Sequence, residues 1–136
     1  MIVFEKKLRT ADKHLVTSKK RFIKGCQIGL RNSGQIVRDE IKRLITDPPK
    51  TGKKYPTLPN RSSAVGEAPA NQSGTLRKSV IYKVSNYTEL EVGDTVLYGN
   101  FLEFYHRRPH VSTAGISKRE TVALAIQTAV NMELLR

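Results

Sequence analysis

The chain has 136 residues, 38% of them apolar and 26% charged, which fits one globular domain with a modest core and excludes two. Its 24 Lys and Arg against 12 Asp and Glu give a formal net charge of +12, a balance that points to an acidic partner such as nucleic acid, an anionic membrane surface or an acidic protein face. A single cysteine, Cys26, excludes an intramolecular disulfide; no apolar run is long enough for a membrane span, and Met1–Lys7 is too poor in apolar residues for a signal peptide, so a cytoplasm is the expected place of synthesis.

In chain order, Ile2–Phe4 reads as a short strand. A long helical pattern follows, with Leu15, Phe22, Ile23, Cys26, Leu30, Val37, Ile41, Leu44 and Ile45 recurring at three- and four-residue steps. Asp12 suits the N-terminus of that helix, and Asp47-Pro48-Pro49 stops it. Gly25, Gly29 and Gly34 each weaken it by about 1 kcal/mol relative to alanine, which predicts a kink near Gly29–Gly34. Cys26 falls on the apolar stripe, as a buried structural thiol does. Charge is concentrated here: residues 1–54 hold fifteen Lys and Arg but five Asp and Glu, whereas residues 55–136 hold nine and seven.

From Asp47 to Thr75 five of the six prolines occur with almost no apolar periodicity. So long a connection in a compact domain is usually functional or disordered, and it reads as a projecting arm that orders against neighbouring subunits. Val80–Val84 and Thr88–Val92 alternate polar and apolar residues like half-buried strands, with Ser85-Asn86-Tyr87 as the turn and Val96–Tyr98 as a third short strand. Tyr98–Tyr105 reads as a short helix. A closing helix starts at Ser117, with Glu120 completing a capping box and Val122, Ala125, Ile126, Ala129, Val130 and Leu134 as its apolar face. The fold class is therefore α+β, a single domain over residues 1–136. A small antiparallel β-meander is packed by a long N-terminal helix and a C-terminal helix, with a long extended loop at 47–75.

Motifs for chemistry are sparse. Glu103, His106 and His110 resemble a metal set, but Pro109 breaks the helix that would place the histidines on one face, and a third ligand is lacking. Ser63, Ser73 and Ser79 lack a nucleophile elbow, His14 lies on a polar helix face, and Gly25–Gly29 and Gly66–Gly74 have no phosphate-loop lysine in register. Asn71-Gln72-Ser73 matches a glycosylation pattern, which has no bearing without secretion. The expectation is no enzyme, no catalytic residue, no cofactor and no metal. Lys19, Lys20, Arg21 and Lys24, with Lys6, Lys7, Arg9 and Lys13, could instead meet a phosphate backbone.

The segment Arg61–Val80 carries the most information. Ser63-Ala64-Val65-Gly66-Glu67-Ala68-Pro69-Ala70 followed by Ser73-Gly74-Thr75-Leu76-Arg77-Lys78-Ser79-Val80 resembles a block of a lambdoid-phage tail-component family. There a Ser-x-x-Gly-Glu-x-Pro-Ala stretch precedes a Thr/Ser-Gly-x-Leu-Arg-x-Ser-Ile turn. A helix ending in prolines (Val37–Pro49), Val92-Gly93, Tyr98-Gly99, Phe101-Leu102-Glu103-Phe104 and a Pro-containing loop (Arg107–Thr113) agree in order, so the similarity covers roughly residues 30–135. The chain departs from the family at Tyr105-His106 and Arg108-Pro109-His110, where Gly-Thr and Arg-Pro-Phe are usual.

The resemblance implies a structural virion protein of the phage neck, a siphovirus tail-completion or head–tail joining subunit working as a homo-oligomeric ring, with a hexamer expected. It would be assembled in the host bacterial cytoplasm and reside in the virion neck or tail. Implied partners are further copies, the head-completion or stopper protein, the tail terminator and the tail tube, with packaged DNA possible and no membrane. Expected subunit contacts are Lys53, Lys54, Tyr55, Arg61 and Glu67 of the arm, and Glu103, Tyr105, Arg107 and Arg108. The alternative is a basic DNA-binding protein that touches phosphates through Lys19, Lys20, Arg21 and Lys24.

Overall fold

The computed structural model describes residues 2–136, with side chains described from Lys13 onward. One helix, α1 (Ile2–Thr46), fills the first third of the chain. Ile2–Phe4 therefore opens a helix and not a strand, and Asp12 lies inside it. The reason is continuity: no proline occurs before Pro48, so nothing removes a ladder hydrogen bond until then.

The three glycines do not interrupt α1. They are points of close approach. A Cβ at Gly25 would stand 2.7 Å from the Cα of Val130, and one at Gly29 would stand 2.7 Å from the Cα of Ile126. Both partners belong to the C-terminal helix α5 (Arg119–Leu134), so these glycines let two backbones touch. At Gly34 the ring of Tyr82 occupies the space of a side chain. The propensity lost at each glycine is offset by packing, and the helix runs unbroken through all three.

Two strands, β1 (Val80–Val84) and β2 (Leu90–Asp94), pair antiparallel with Val80 opposite Asp94 and Val84 opposite Leu90. The third strand expected at Val96–Tyr98 is not formed: Val96 is extended, but Leu97–Asn100 is the one-turn helix α3. The Gly99 amide donates to the Val96 carbonyl at 3.1 Å, closing a helical turn in place of a third strand. A π-helical turn, Phe101–Tyr105, continues from α3, where a short helix was expected.

Between the arm and β1, Thr75–Ser79 forms α2, entered through Gly74 in the left-handed region (φ 80°) that glycine adopts without strain. After the π-turn comes α4 (Val111–Ser117). The Ser117–Glu120 capping box is overturned. Ser117 ends α4 and donates its Oγ to the Ala114 carbonyl at 3.2 Å, while α5 starts after Lys118 with no side-chain cap.

The core lies where α1, α2, β1 and α4 meet. Val37, Ile41, Ile45, Leu76, Val80 and Ala114 are buried, with Leu44, Val92, Leu102 and Val122 packed around them. Leu76 anchors α2 there. Cys26 is buried. By contrast Leu15 and Phe22, on the same helical stripe, are exposed because residues 13–20 of α1 have passed beyond the rest of the protein. Leu134 of α5 is exposed too, whereas Ala129 is buried and Val122, Ala125, Ile126 and Val130 are half-buried. No described helix is long and apolar enough to cross a membrane.

The arm carries its own hydrogen bonds. Gly52 donates to the Ser62 carbonyl (2.8 Å) and Ser62 to that of Lys53 (3.1 Å). Asn60 and Gln72 bond reciprocally, the Asn60 amide to Gln72 Oε1 at 3.1 Å and Gln72 Nε2 to the Asn60 carbonyl at 2.9 Å. Ala68 and Pro69 are buried. The expectation that residues 47–75 project and order only against neighbours is thus corrected: the segment folds back on itself and on its own domain.

Candidate subunit interface

Three groups fix the segment after β2. His110, fully buried at 0% exposure, hydrogen-bonds through Nε2 to Asp94 Oδ2 (2.8 Å) and through Nδ1 to the Arg108 carbonyl (3.1 Å), with Glu103 Oε2 also 2.9 Å from Nδ1. Both carboxylates are themselves only 7% exposed. Asp94 ends β2, Glu103 sits in the π-turn and His110 precedes α4, so one imidazole clamps three elements. Gly99 lies directly against the Asp94 carboxylate, in a space that a methyl group would fill.

Glu103 does more. It accepts from the backbone amides of His110 (2.8 Å), Val111 (3.1 Å) and Ser112 (2.9 Å), and from the Ser112 hydroxyl. These are the orphan donors of the first turn of α4, so Glu103 acts as its cap from a distance. Burial pushes its pKa up, but the Ser112 hydroxyl and the three amides outweigh burial and hold it below the ordinary carboxylate value. Both of its oxygens are thus engaged within the chain.

Glu67 is engaged within the chain in the same way. Its carboxylate accepts from the Thr51 hydroxyl and amide and from the Ala64 amide, which lowers its pKa to about 2, the Thr51 hydroxyl being the largest cause. Glu67 is therefore the knot of the arm.

The remaining expected contacts stay on the surface. Lys53, Lys54, Tyr55 and Arg61 are exposed, Lys53 lying over the Tyr55 ring at 5.2 Å and Arg61 donating to the Gly52 carbonyl at 3.0 Å. Tyr105 is 79% exposed. Arg107 has φ 52°, a left-handed backbone that closes the π-turn, and its carbonyl accepts from Gly66 of the arm at 2.8 Å. Arg108 is half-buried and donates to the His106 carbonyl at 2.8 Å. The arm and the 103–108 segment, far apart in sequence, thereby meet. A cleft of about 480 Å³ lies between them, lined by Tyr55, Leu58, Leu76, Tyr98, Leu102, His106 and Arg108.

Beside the cleft runs an apolar ridge that the sequence reading missed. Leu97 is 93% exposed and Phe104 78%, with Phe101 also exposed and edge-on to Tyr105 at 6.2 Å between ring centroids. Leu97, Phe101 and Phe104 recur at helical steps, the signal that ordinarily marks a core face. A second apolar surface lies on the far helices, where Ile28, Ile36, Leu124 and Met132 line a groove of about 530 Å³ between α1 and α5.

Lys19, Lys20 and Arg21 are consecutive and so fan around the helix at about 100° per residue, Arg21 being half-buried. Lys24 is exposed and lies 3.5 Å from Glu133. Lys6, Lys7 and Arg9 lie outside the described side chains. Among the described residues no group of three or more His, Cys, Asp or Glu is disposed to hold a metal ion, and both nitrogens of His110 already face carboxylates.

Compared with protein-family models, with curated proteins and with solved structures, the chain finds no match.

Proposed function

We propose that this protein is a structural subunit of the neck of a tailed bacteriophage, a tail-completion or head–tail joining protein that acts as a ring of like copies. The observation that carries the reading is the exposed ridge Leu97, Phe101, Phe104 and Tyr105. An aromatic side chain covers about 150–250 Å², so the ridge offers on the order of 500 Å² of apolar surface, more than scattered exposure accounts for. Added to the cleft beside it, this approaches the roughly 800 Å² per partner of a stable interface.

The ridge and the α1–α5 groove lie on different elements, so one copy's ridge can meet the next copy's groove. Contacts between unlike faces run head to tail, and they close into rings when the rotation per subunit permits. The resemblance of residues 30–135 to the tail-component family supports the same reading, and with it the neighbouring neck and tail proteins as partners and the virion as the destination.

Size-exclusion chromatography with light scattering tests it. The wild type should run as a closed oligomer, and the double variant Phe104→Asp, Tyr105→Asp as a monomer with unchanged circular dichroism. A wild-type chain that stays monomeric at high concentration would remove the basis of the proposal.

A further inference from the structure

We infer that one face of α1 is a binding surface for the phosphate backbone of duplex DNA. Lys13, Lys20, Lys24, Arg31, Arg38 and Lys42 follow one another at steps of seven and four residues. At 3.6 residues per turn those steps alternately fall short of and overshoot whole turns, so the six positions stay within about 40° of one line on the helix. The stripe is about 44 Å long at 1.5 Å per residue. No acidic residue interrupts it, because Asp39 and Glu40 fall on other sides of the helix. This is a different set from the consecutive cluster at 19–21, of which only Lys20 belongs to the line.

Exposure follows the line. Lys13, Lys20, Lys24 and Arg31 are exposed, while Arg38 and Lys42 are half-buried where α1 passes the sheet. Two members are already shared, Lys24 with Glu133 at 3.5 Å and Arg38 with Asp39 at 3.4 Å, Arg38 also lying over the Tyr82 ring at 5.4 Å. Among the described residues Lys13, Lys20, Arg31 and Lys42 take part in no ion pair within 4.0 Å.

The chemistry of the stripe selects among acidic partners. A membrane surface wants cations flanking an inserted apolar face, whereas the exposed Leu15 and Phe22 lie on the far side of α1 from this line and the positions along it are polar. A protein partner is ordinarily gripped through an aromatic or aliphatic anchor set in a pocket, and the line has none. What remains is a regular row of cations on a rigid rod, which suits a polyanion whose charge is itself periodic. Neutralising phosphates releases condensed counterions, so binding of this kind weakens steeply with salt. The inference needs only a single chain and does not rest on ring formation.

The test is fluorescence anisotropy on a random-sequence 30-base-pair duplex across a salt series, with the full chain. The wild type should lose about 10³-fold in affinity between 50 and 200 mM salt. A variant with Lys13, Lys20, Arg31 and Lys42 all changed to Gln should bind more weakly, its slope of log K against log salt shallower by about 3 to 4. A control with Lys53, Lys54, Lys78 and Arg119 changed to Gln removes the same charge elsewhere and should keep the slope. Equal weakening of both variants, no weakening of either, or a wild type that binds anionic phosphatidylserine vesicles but not the duplex, would each overturn the assignment. Light scattering on the stripe variant, expected to match the wild type, separates loss of DNA binding from loss of assembly.

Discussion

Replacing His110 by alanine probes the clamp between β2, the π-turn and α4. The change removes the charge-assisted bond to Asp94 and the charge contact with Glu103, and leaves the Asp94 carboxylate, 7% exposed, facing a void, while Glu103 keeps its amide donors. Stranding buried charge in this way costs about 3–5 kcal/mol, a large part of the roughly 5–15 kcal/mol that holds a small domain together. With a urea m value of about 1.5 kcal/mol/M, the unfolding midpoint should fall by about 2–3 M. Asp94→Asn is the cleaner partner for a double-mutant cycle, because Glu103 also caps α4 and its loss would report two effects at once. The pair His110–Asp94 should show a coupling of about 1–3 kcal/mol. A midpoint shift below about 0.5 M for His110→Ala, or additive effects in the cycle, would refute the clamp.

Gly99→Ala should damage the same clamp from outside, since its methyl group would displace the Asp94 carboxylate from His110; urea unfolding should give a loss of at least about 1 kcal/mol. Gly29→Val should destabilise by about 1–3 kcal/mol, because its Cβ would meet the backbone of Ile126, which cannot rotate away; the thermal midpoint reads this directly. Glu67 has a folded-state pKa of about 2 against an ordinary 4.5, so its contribution is complete above pH 4.5 and is lost as pH falls towards 2. The Thr51 and Ala64 amide resonances should shift across that window, and Glu67→Gln should abolish the shift.

The lower half of α1, the β1–β2 hairpin and the apolar face of α5 were legible in the sequence because periodicity reports which side of an element meets the core. What surrounds a given residue was not legible. Gly25 and Gly29 scored as weak points in an isolated helix, whereas their value lies in a helix a hundred residues away. Ser117 and Glu120 had the spacing of a cap, but spacing is silent about where the preceding helix ends. Glu67 and Glu103 looked like surface acids because the hydroxyls and amides that satisfy them are set by how the loops close. Leu97, Phe101 and Phe104 show the converse, an apolar pattern that the fold leaves uncovered. For the proposed interface, Lys53, Lys54, Tyr55, Tyr105, Arg107 and Arg108 were named from sequence, but the exposed ridge of Leu97, Phe101 and Phe104 was not.

Cys26 gives the molecule a gauge of its own. It is the only thiol in the chain, and it is shielded on α1 beside Gly25, where that helix touches α5. A maleimide can reach the buried sulfur only when its surroundings on α1 open, so the labelling rate measures how often they do. Any partner that seats across both helices should slow that reaction, and one that pries them apart should speed it, with no engineered probe required.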